Sequence, residues 1–154
     1  MIFLDVQYAS QVTGLPSKQQ FRSWLNAVLM DHNDDVEVVI RITDEQEMSE
    51  LNRRYRQRQG TTNILSFPFE APDQMPMSLL GDLVVCAPVV EREAMQQRKS
   101  LDAHWAHMII HGALHLLGYD HIEDNEAKAM EKTEVDLLKS IGFPNPYERV
   151  DLHD

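Results

Sequence analysis

Three histidines within residues 111–121 have a spacing that suits a metal ion. This stretch reads HGALHLLGYDH, which reduces to H-x-x-x-H-x-x-G-x-x-H. His111 and His115 are four residues apart, so on a helix they lie on one face, one turn from each other. Gly118 can end that helix in a left-handed turn, after which the chain can bring His121 back to the same point. Three converging imidazoles make an open metal site with a position left for water.

The other histidines of the chain have to be weighed against this site, because the chain has seven in all. His107, His111 and His115 form a helical stripe whose ends are about 12 Å apart, at a rise of about 1.5 Å per residue. One ion with bonds of about 2.0–2.1 Å to nitrogen cannot hold all three. The predicted ligands are therefore His111, His115 and His121. His104 and His107 are expected on the helix face near the site, and the alternative is that all these histidines are ordinary solvated or core residues.

The predicted ion is Zn²⁺, one per chain, because neutral imidazoles and a tetrahedral site suit it, although copper or nickel could take the same ligands in vitro. The spacing is similar to the H-E-x-x-H-x-x-G-x-x-H pattern of metzincin zinc proteases. In that pattern a glutamate follows the first histidine, whereas this chain has Gly112. The sequence thus has the metal ligands of such an enzyme without its general base. Asp120 could orient a ligand imidazole or could simply start the following turn.

Three further segments precede the histidine motif in the chain. Residues 51–56 read LNRRYR, residues 62–69 read TNILSFPF, and residues 80–83 read LGDL. Taken in order with HGALHLLGYDH, these segments resemble the YbeY family, bacterial endoribonucleases that mature ribosomal RNA. The resemblance runs from about residue 36 to residue 121.

The resemblance implies a zinc-dependent endoribonuclease specific for single-stranded RNA, acting in 16S rRNA 3′-end processing and in ribosome quality control. It implies ribosomal RNA as the substrate and the small ribosomal subunit or assembly factors as partners, with neither DNA nor a membrane expected. It also implies that Arg56, which matches a conserved arginine of the family, faces the charge that develops on the phosphate. Ser66 is expected to bind substrate on an edge strand beside the metal. Phe67 either lines the same groove or is an ordinary core residue.

Two other functions stay open from the residues alone. One is a zinc hydrolase of another class, such as a peptidase or amidase, and Gly112 at the position of the base argues against it. The other is a non-catalytic ribosome-binding or RNA-binding protein with structural zinc. An open three-histidine site argues against this second function, because structural zinc sites usually have a fourth protein ligand.

The composition predicts a single globular domain over residues 1–154, with 43% hydrophobic and 25% charged residues. The N-terminus lacks the basic flank and long apolar run of a secretory signal. No apolar stretch reaches the roughly 18 residues that indicate a membrane span. We therefore expect a cytoplasmic protein. The single cysteine, Cys86, excludes an intramolecular disulfide and is expected to be buried.

The net charge of −11, from 14 basic and 25 acidic residues, repels nucleic acid when the surface is taken as a whole. An RNA enzyme with this charge needs a local basic surface, which the four arginines among residues 53–58 could supply. Alternatively, these arginines only complete a helix that begins with acidic residues, an order that suits the helix dipole. Targeting to one RNA position would then depend on partners that present the strand.

Periodicity predicts an α+β fold, with one small mixed sheet of about four strands, about five helices and the histidine-motif helix in the core. The predicted strands are residues 2–8, 36–43, 63–70 and 79–87. The predicted helices are about 18–31, from a Thr43 cap to about Tyr55, 88–98, 101–117 and 123–141. Capping boxes are expected at Ser17 with Gln20 and at Thr43 with Gln46. Residues 71–76 are expected to form a loop, and residues 145–154 a frayed tail.

Overall fold

Strands and helices alternate along the chain. In the computed structural model, which describes residues 1–30, 35–69, 78–119 and 123–147, these residues form four strands and five helices. The strands are β1 (Ile2–Tyr8), β2 (Val36–Thr43), β3 (Ile64–Pro68) and β4 (Ser78–Cys86). The helices are α1 (Lys18–Leu29), α2 (Glu45–Arg56), α3 (Ala87–Gln96), α4 (Leu101–Leu116) and α5 (Asp124–Ser140). The predicted α+β fold with one small mixed sheet is confirmed.

The sheet has the strand order β1-β2-β4-β3. Its first three strands run parallel to one another, and β3 pairs antiparallel with β4 at one edge. Parallel neighbours need a crossover connection, and α1 provides the one between β1 and β2. Among the described residues, β3 therefore pairs on one side only, with β4, and α4 packs against both strands.

Helix α4 lies in the hydrophobic core, as predicted for the helix that carries the histidine motif. It contacts α1, α3 and α5 as well as the sheet. A helix that is apolar on nearly all sides is stable only when it is buried in this way. Trp105 of α4 meets Phe21 of α1 edge to face, with ring centroids 5.9 Å apart, and both side chains are buried. Such packing fixes the position of the helix backbone from which His111 and His115 extend.

Most helix ends lie close to where the sequence predicts them. The Ser17 hydroxyl accepts a hydrogen bond from the Gln20 amide at 3.2 Å, and the Gln20 side chain accepts one from the Ser17 amide at 2.9 Å. This is the predicted capping box. Pro88 lies in the first turn of α3, and α5 ends shortly before Gly142, which has φ +93°. The loop predicted at residues 71–76 lies outside the described residues.

The cap predicted for α2 at Thr43 is wrong. Thr43 remains in β2, where it pairs with Cys86 of β4, so its backbone is committed to the sheet. α2 begins one residue later, after Asp44. The Asp44 carboxylate accepts hydrogen bonds from the Ser10 hydroxyl and the Gln11 amide and does not cap the helix. A contact with a distant loop has replaced the local one.

The burial predicted for the single cysteine is confirmed, since the Cys86 thiol is buried. Burial raises the pKa of this thiol, so it stays protonated at neutral pH. Among the described residues, no helix combines the length and the apolar character that a membrane crossing requires.

Candidate active site

Two of the three predicted metal ligands face each other on α4. The Nε2 atoms of His111 and His115 lie 3.2 Å apart. Two nitrogen ligands of a tetrahedral zinc ion are separated by about 3.3 Å when each bond is about 2.0–2.1 Å long. The pair therefore fits a single zinc ion. The third predicted ligand, His121, and its neighbour Asp120 lie outside the described residues.

The Nδ1 atoms of both rings are held by acceptors on the opposite side. His111 Nδ1 donates to the carboxylate of Glu134 on α5. His115 Nδ1 donates to the carbonyl oxygen of Tyr119 at 3.0 Å. Both nitrogens must carry the proton, because a carbonyl and an ionised carboxylate only accept. In a neutral ring this leaves the lone pair on Nε2, which is the form of imidazole that binds a metal.

A sharp turn after α4 brings Tyr119 back beside His115. Gly118 has φ +101°, in the left-handed region that favours glycine, as the sequence predicts. The Tyr119 amide donates to the Leu114 carbonyl at 3.0 Å, which closes the helix end. The turn thus supplies the carbonyl that orients the His115 ring.

Glu134 is the buried charge of the site. Its side chain is 0% exposed, and it also accepts a hydrogen bond from the Tyr147 hydroxyl. His107 Nε2 lies 3.7 Å from its second oxygen. Burial acts to raise the pKa of this carboxyl, but the nearby His107 ring and the hydrogen bonds from His111 and Tyr147 outweigh that effect and lower the pKa to about 2. Glu134 is therefore ionised at neutral pH.

His107, His111 and Glu134 form a second group that could hold a metal ion, since one ligand atom of each lies within 4.8 Å of the others. Burial lowers the pKa of His107, so its ring is neutral at pH 7. In this group His111 would use Nδ1, the atom that is bonded to Glu134, whereas its Nε2 faces His115. A metal-bound histidine commonly donates its other N–H to a carboxylate. An ion held between His111 and His115 would leave the hydrogen bond from His111 to Glu134 intact, whereas an ion in the buried group would replace it.

A cleft of about 1000 Å³ opens beside the two histidines. β3 and the loop before it contribute to its lining, as does the C-terminal end of α4. The polar lining includes Asn52, Arg58, Asn63 and Tyr119, together with the two predicted substrate residues, Arg56 and Ser66. Residues that are far apart in sequence thus meet in one cleft, and the predicted RNA-binding residues share it with the two histidines.

Arg56 is anchored at the edge of β3. It is the last residue of α2, and its Nη2 atom donates to the Ser66 carbonyl oxygen at 2.9 Å. The Ser66 hydroxyl donates in turn to the Gly112 carbonyl of α4 at 3.2 Å. These bonds tie α2 to β3 and β3 to α4, so Arg56 has a defined position relative to the histidines while its side chain stays exposed. The Ser66 hydroxyl is buried against α4, which leaves its backbone as the part nearer to Arg56.

Residues 5–142 of the chain match the family described as Endoribonuclease YbeY. The protein belongs to this family. Its fold is also similar to the solution structure of TM1509 from Thermotoga maritima, with 26% sequence identity and a TM-score of 0.62, over 88% of each chain. The YbeY resemblance of the sequence motifs is confirmed. Membership of this family supports the conclusion that the protein is an endoribonuclease, a hydrolase acting on RNA, in ribosomal RNA processing.

In this YbeY family member, Gly112 lies where α4 touches the sheet. A Cβ atom at this position would come within 2.7 Å of Ile64 Cδ1 and 2.8 Å of Leu83 Cδ2. The Leu83 side chain is fully buried in the core and the partly buried Ile64 packs against that core, so a Cβ atom here would force the packing between α4 and the sheet to shift. The position that carries the general base in metzincins therefore faces the sheet in this chain. A glutamate there would be buried against β3 and β4.

Phe67 is partly buried and packs against the smaller hydrophobic cluster, which includes Met48 of α2. Its ring meets that of Tyr55 edge to face at 5.4 Å. The structure thus favours the core alternative for this residue over a place in the groove.

Glu134 and Tyr147 are not among the predicted site residues. Glu134 has a recognisable signal, because it lies midway between Met130 and Leu138, which are buried on the same face of α5. A charge in the centre of an apolar stripe indicates a buried partner. Tyr147 has no such signal, since it lies in the stretch expected to fray, yet its hydroxyl reaches Glu134 through the tertiary fold.

Proposed function

We propose that the protein is a zinc-dependent endoribonuclease that cuts single-stranded RNA in the cleft beside His111 and His115. Its role would be 16S rRNA 3′-end maturation and ribosome quality control in the cytoplasm. One observation carries the proposal: two Nε2 atoms 3.2 Å apart share a cleft with an exposed guanidinium that is anchored to β3. His111, His115 and His121 would hold one zinc ion per chain. Arg56 would bind the phosphate.

Zinc, when bound, supplies a Lewis acid and lowers the pKa of a coordinated water to about 7. Arg56 can clamp a phosphate through two parallel hydrogen bonds. Because Arg56 already bonds to the Ser66 carbonyl, its guanidinium meets the substrate partly ordered and loses less side-chain entropy on binding. A preorganised cation stabilises the charge that the phosphate gains in the transition state.

The edge of β3 favours RNA over a peptide as the substrate. A peptide binds an open sheet edge by pairing with its outward amide and carbonyl groups. In the register with β4, the backbone groups of Ile64, Ser66 and Pro68 face this edge. The Ile64 amide donates to Asn63 Oδ1 at 2.7 Å, the Ser66 carbonyl accepts from Arg56, and proline has no amide hydrogen. Such an edge is a poor template for a peptide strand.

The net charge of the chain affects how strongly it binds RNA. At −11 the chain as a whole repels a polyanion, and the cleft offers Arg56 and Arg58 as its lining arginines. Isolated RNA is therefore expected to bind weakly. The small ribosomal subunit, or an assembly factor bound to it, would present the single strand to the cleft.

Cleavage of a labelled single-stranded RNA by the zinc-loaded protein tests the proposal. Arg56→Ala is expected to lower the cleavage rate about a hundredfold or more, since a lost transition-state cation typically costs a few kcal/mol. Zinc content and thermal unfolding should stay close to those of the wild type. Arg53→Ala is the matched control, because Arg53 is exposed on the same helix outside the lining of the cleft, and it should have a mild effect. Normal cleavage by a folded Arg56→Ala protein would contradict the role.

A further inference from the structure

The carboxylate of Glu134 joins the His111 ring to the segment that follows α5. One carboxylate oxygen accepts from His111 Nδ1, and the other accepts from the Tyr147 hydroxyl. The side chain is fully buried, so solvent cannot replace either bond if it is lost. The two contacts together define the orientation of the carboxylate between α4 and residue 147.

Tyr147 contacts both Glu134 and His107. Its ring packs edge to face on His107, with centroids 5.4 Å apart, and His107 Nε2 lies 3.4 Å from its hydroxyl oxygen. The residue is thus fixed by an aromatic contact as well as by the bond to Glu134. Tyr147 lies beyond the end of α5, so the described part of the C-terminal segment packs against the site.

Two properties of His111 depend on what its Nδ1 atom meets. A carboxylate acceptor keeps the proton on Nδ1, which directs the lone pair to Nε2 and makes that nitrogen a stronger ligand. The same bond fixes the ring's rotation about its χ2 angle, so that Nε2 points at the partner nitrogen of His115. Without an oriented carboxylate, the ring can adopt the other tautomer or turn away.

We propose that Glu134 and Tyr147 are positioning residues of the metal centre. Glu134 sets the tautomer and direction of the His111 ring, and Tyr147 holds Glu134 in the orientation that does so. This inference rests on the proposed function, because it takes His111 as a metal ligand. It gives the C-terminal segment a part in zinc binding.

Zinc affinity of the full chain, measured by competition with a chromophoric chelator after metal removal, tests the inference. Glu134→Ala should weaken zinc binding about 10–100-fold, the usual effect of losing the partner of a ligand histidine. Glu134→Gln should weaken it less, because the amide oxygen can still accept from Nδ1. Tyr147→Phe should have the smallest effect, up to about tenfold.

Two matched substitutions control for general destabilisation. Glu131→Ala removes an exposed glutamate from the same helix. Tyr8→Phe removes a hydroxyl that donates to the Pro16 carbonyl at 2.8 Å, on a tyrosine that is 49% exposed, against 45% for Tyr147. Both control proteins should bind zinc as tightly as the wild type does.

A second readout reports on the ring directly. Nitrogen chemical shifts of the His111 side chain in the zinc-free protein should show the proton on Nδ1 in the wild type and in Tyr8→Phe. Glu134→Ala should shift this to a mixture of the two tautomers. A residue with only a structural role would lower the melting temperature and leave the tautomer unchanged. If Glu134→Ala does not fold, Glu134→Gln and Tyr147→Phe decide the question.

Unchanged zinc affinity and an unchanged tautomer in folded Glu134 and Tyr147 variants would overturn the inference. So would loss of zinc from His107→Ala as complete as that from His111→Ala, since the ion would then lie in the buried group. If zinc affinity falls as expected but RNA is not cleaved, the proposed function fails and the inference stands. If RNA is cleaved while Glu134→Ala keeps full zinc affinity, the inference alone fails.

Discussion

Two histidines of helix α4 form hydrogen bonds with carboxylates, one toward each end of the helix, and these two pairs differ in their surroundings. Toward the N-terminal end, His104 Nε2 bonds to the Glu93 carboxylate at 3.0 Å, and the histidine side chain is 2% exposed. Toward the C-terminal end, His111 bonds to Glu134 through Nδ1, and its side chain is 26% exposed. In the first pair the histidine is enclosed and the Glu93 side chain is 27% exposed, whereas in the second the carboxylate is enclosed and the His111 ring opens on the cleft.

The ring nitrogen that does not meet the carboxylate decides what each pair can do. His104 Nδ1 is buried and has no hydrogen-bond partner among the described residues. His111 Nε2, in contrast, lies 3.2 Å from the Nε2 atom of His115. Glu93 also accepts from the Asn63 side chain at 3.1 Å, which ties α3 to the chain just before β3. The same two residue types therefore join structural elements at one end of α4 and orient a candidate metal ligand at the other.

The largest difference between the two ends is expected in zinc content. Replacing His111, His115 or His121 with alanine should reduce zinc from about one ion per chain to almost none. His104→Ala and His107→Ala should retain it, because His104 Nε2 bonds to Glu93 and His107 Nε2 lies beside Tyr147 and Glu134. Metal analysis of the purified proteins distinguishes these cases. Zinc that survives His121→Ala but is lost from His107→Ala would refute the ligand assignment.

The next largest difference is expected in how strongly Glu93 and Glu134 make the free energy of unfolding depend on pH. Burial opposes ionisation of both, yet hydrogen bonds lower the pKa of each: those of His104 and Asn63 act on Glu93, and those around Glu134 lower its pKa from 4.5 to about 2. A carboxyl whose pKa is lower in the folded state contributes its full stabilisation when the pH is above its unfolded-state pKa. This stabilisation is lost as the pH falls toward the folded-state pKa. For Glu134 this amounts to at most about 3 kcal/mol.

Glu134→Gln should therefore flatten the pH dependence of the free energy of unfolding between about pH 4.5 and pH 2 more than Glu93→Gln does. Urea denaturation of the zinc-free proteins across this range gives the comparison. A larger flattening from Glu93→Gln would mean that Glu93, and not the buried Glu134, carries the more strongly stabilised charge.

The smallest effects are expected at the two ends of α4 themselves. The Ser100 hydroxyl accepts from the Ala103 amide at 3.1 Å, and Ser100→Ala should cost about 1 kcal/mol of stability. Gly118→Ala should cost about 1–2 kcal/mol through its φ of +101°, since an added Cβ meets nothing within 4 Å among the described residues. Only Gly118→Ala should also weaken zinc binding, because the turn at Gly118 brings the Tyr119 carbonyl to His115 Nδ1. Equal zinc affinity in both variants would show that the turn at Gly118 has no role in zinc binding.

Local patterns in the sequence were sufficient to predict most of the fold. Alternation over residues 2–8 and 36–43 predicts two strands with the observed bounds, and the box of Ser17 and Gln20 predicts the start of α1. The left-handed turn at Gly118 is confirmed as well. Each of these features depends on residues within one or two turns of one another. The family resemblance, which also rests on short motifs, is confirmed.

Features that depend on distant contacts were not predicted. Glu134 and His111 are 23 positions apart, and only the packing of α5 on α4 brings them together. Tyr147 lies in a segment that was expected to fray. The close approach of Gly112 to the sheet depends on how α4 crosses β3 and β4. The roles of His121 and Arg56 stay predictions.

Cleavage of a substrate panel tests most directly the claim that this cleft is a metal-dependent RNA-cleaving site. Zinc-loaded wild-type protein and His111→Ala are incubated with labelled single-stranded RNA, duplex RNA and casein. We expect the wild type to cut the single strand, to act far more slowly on the duplex and to leave casein intact, while His111→Ala cuts none of them. Casein hydrolysis by the wild type, or undiminished RNA cleavage by His111→Ala, would contradict the account.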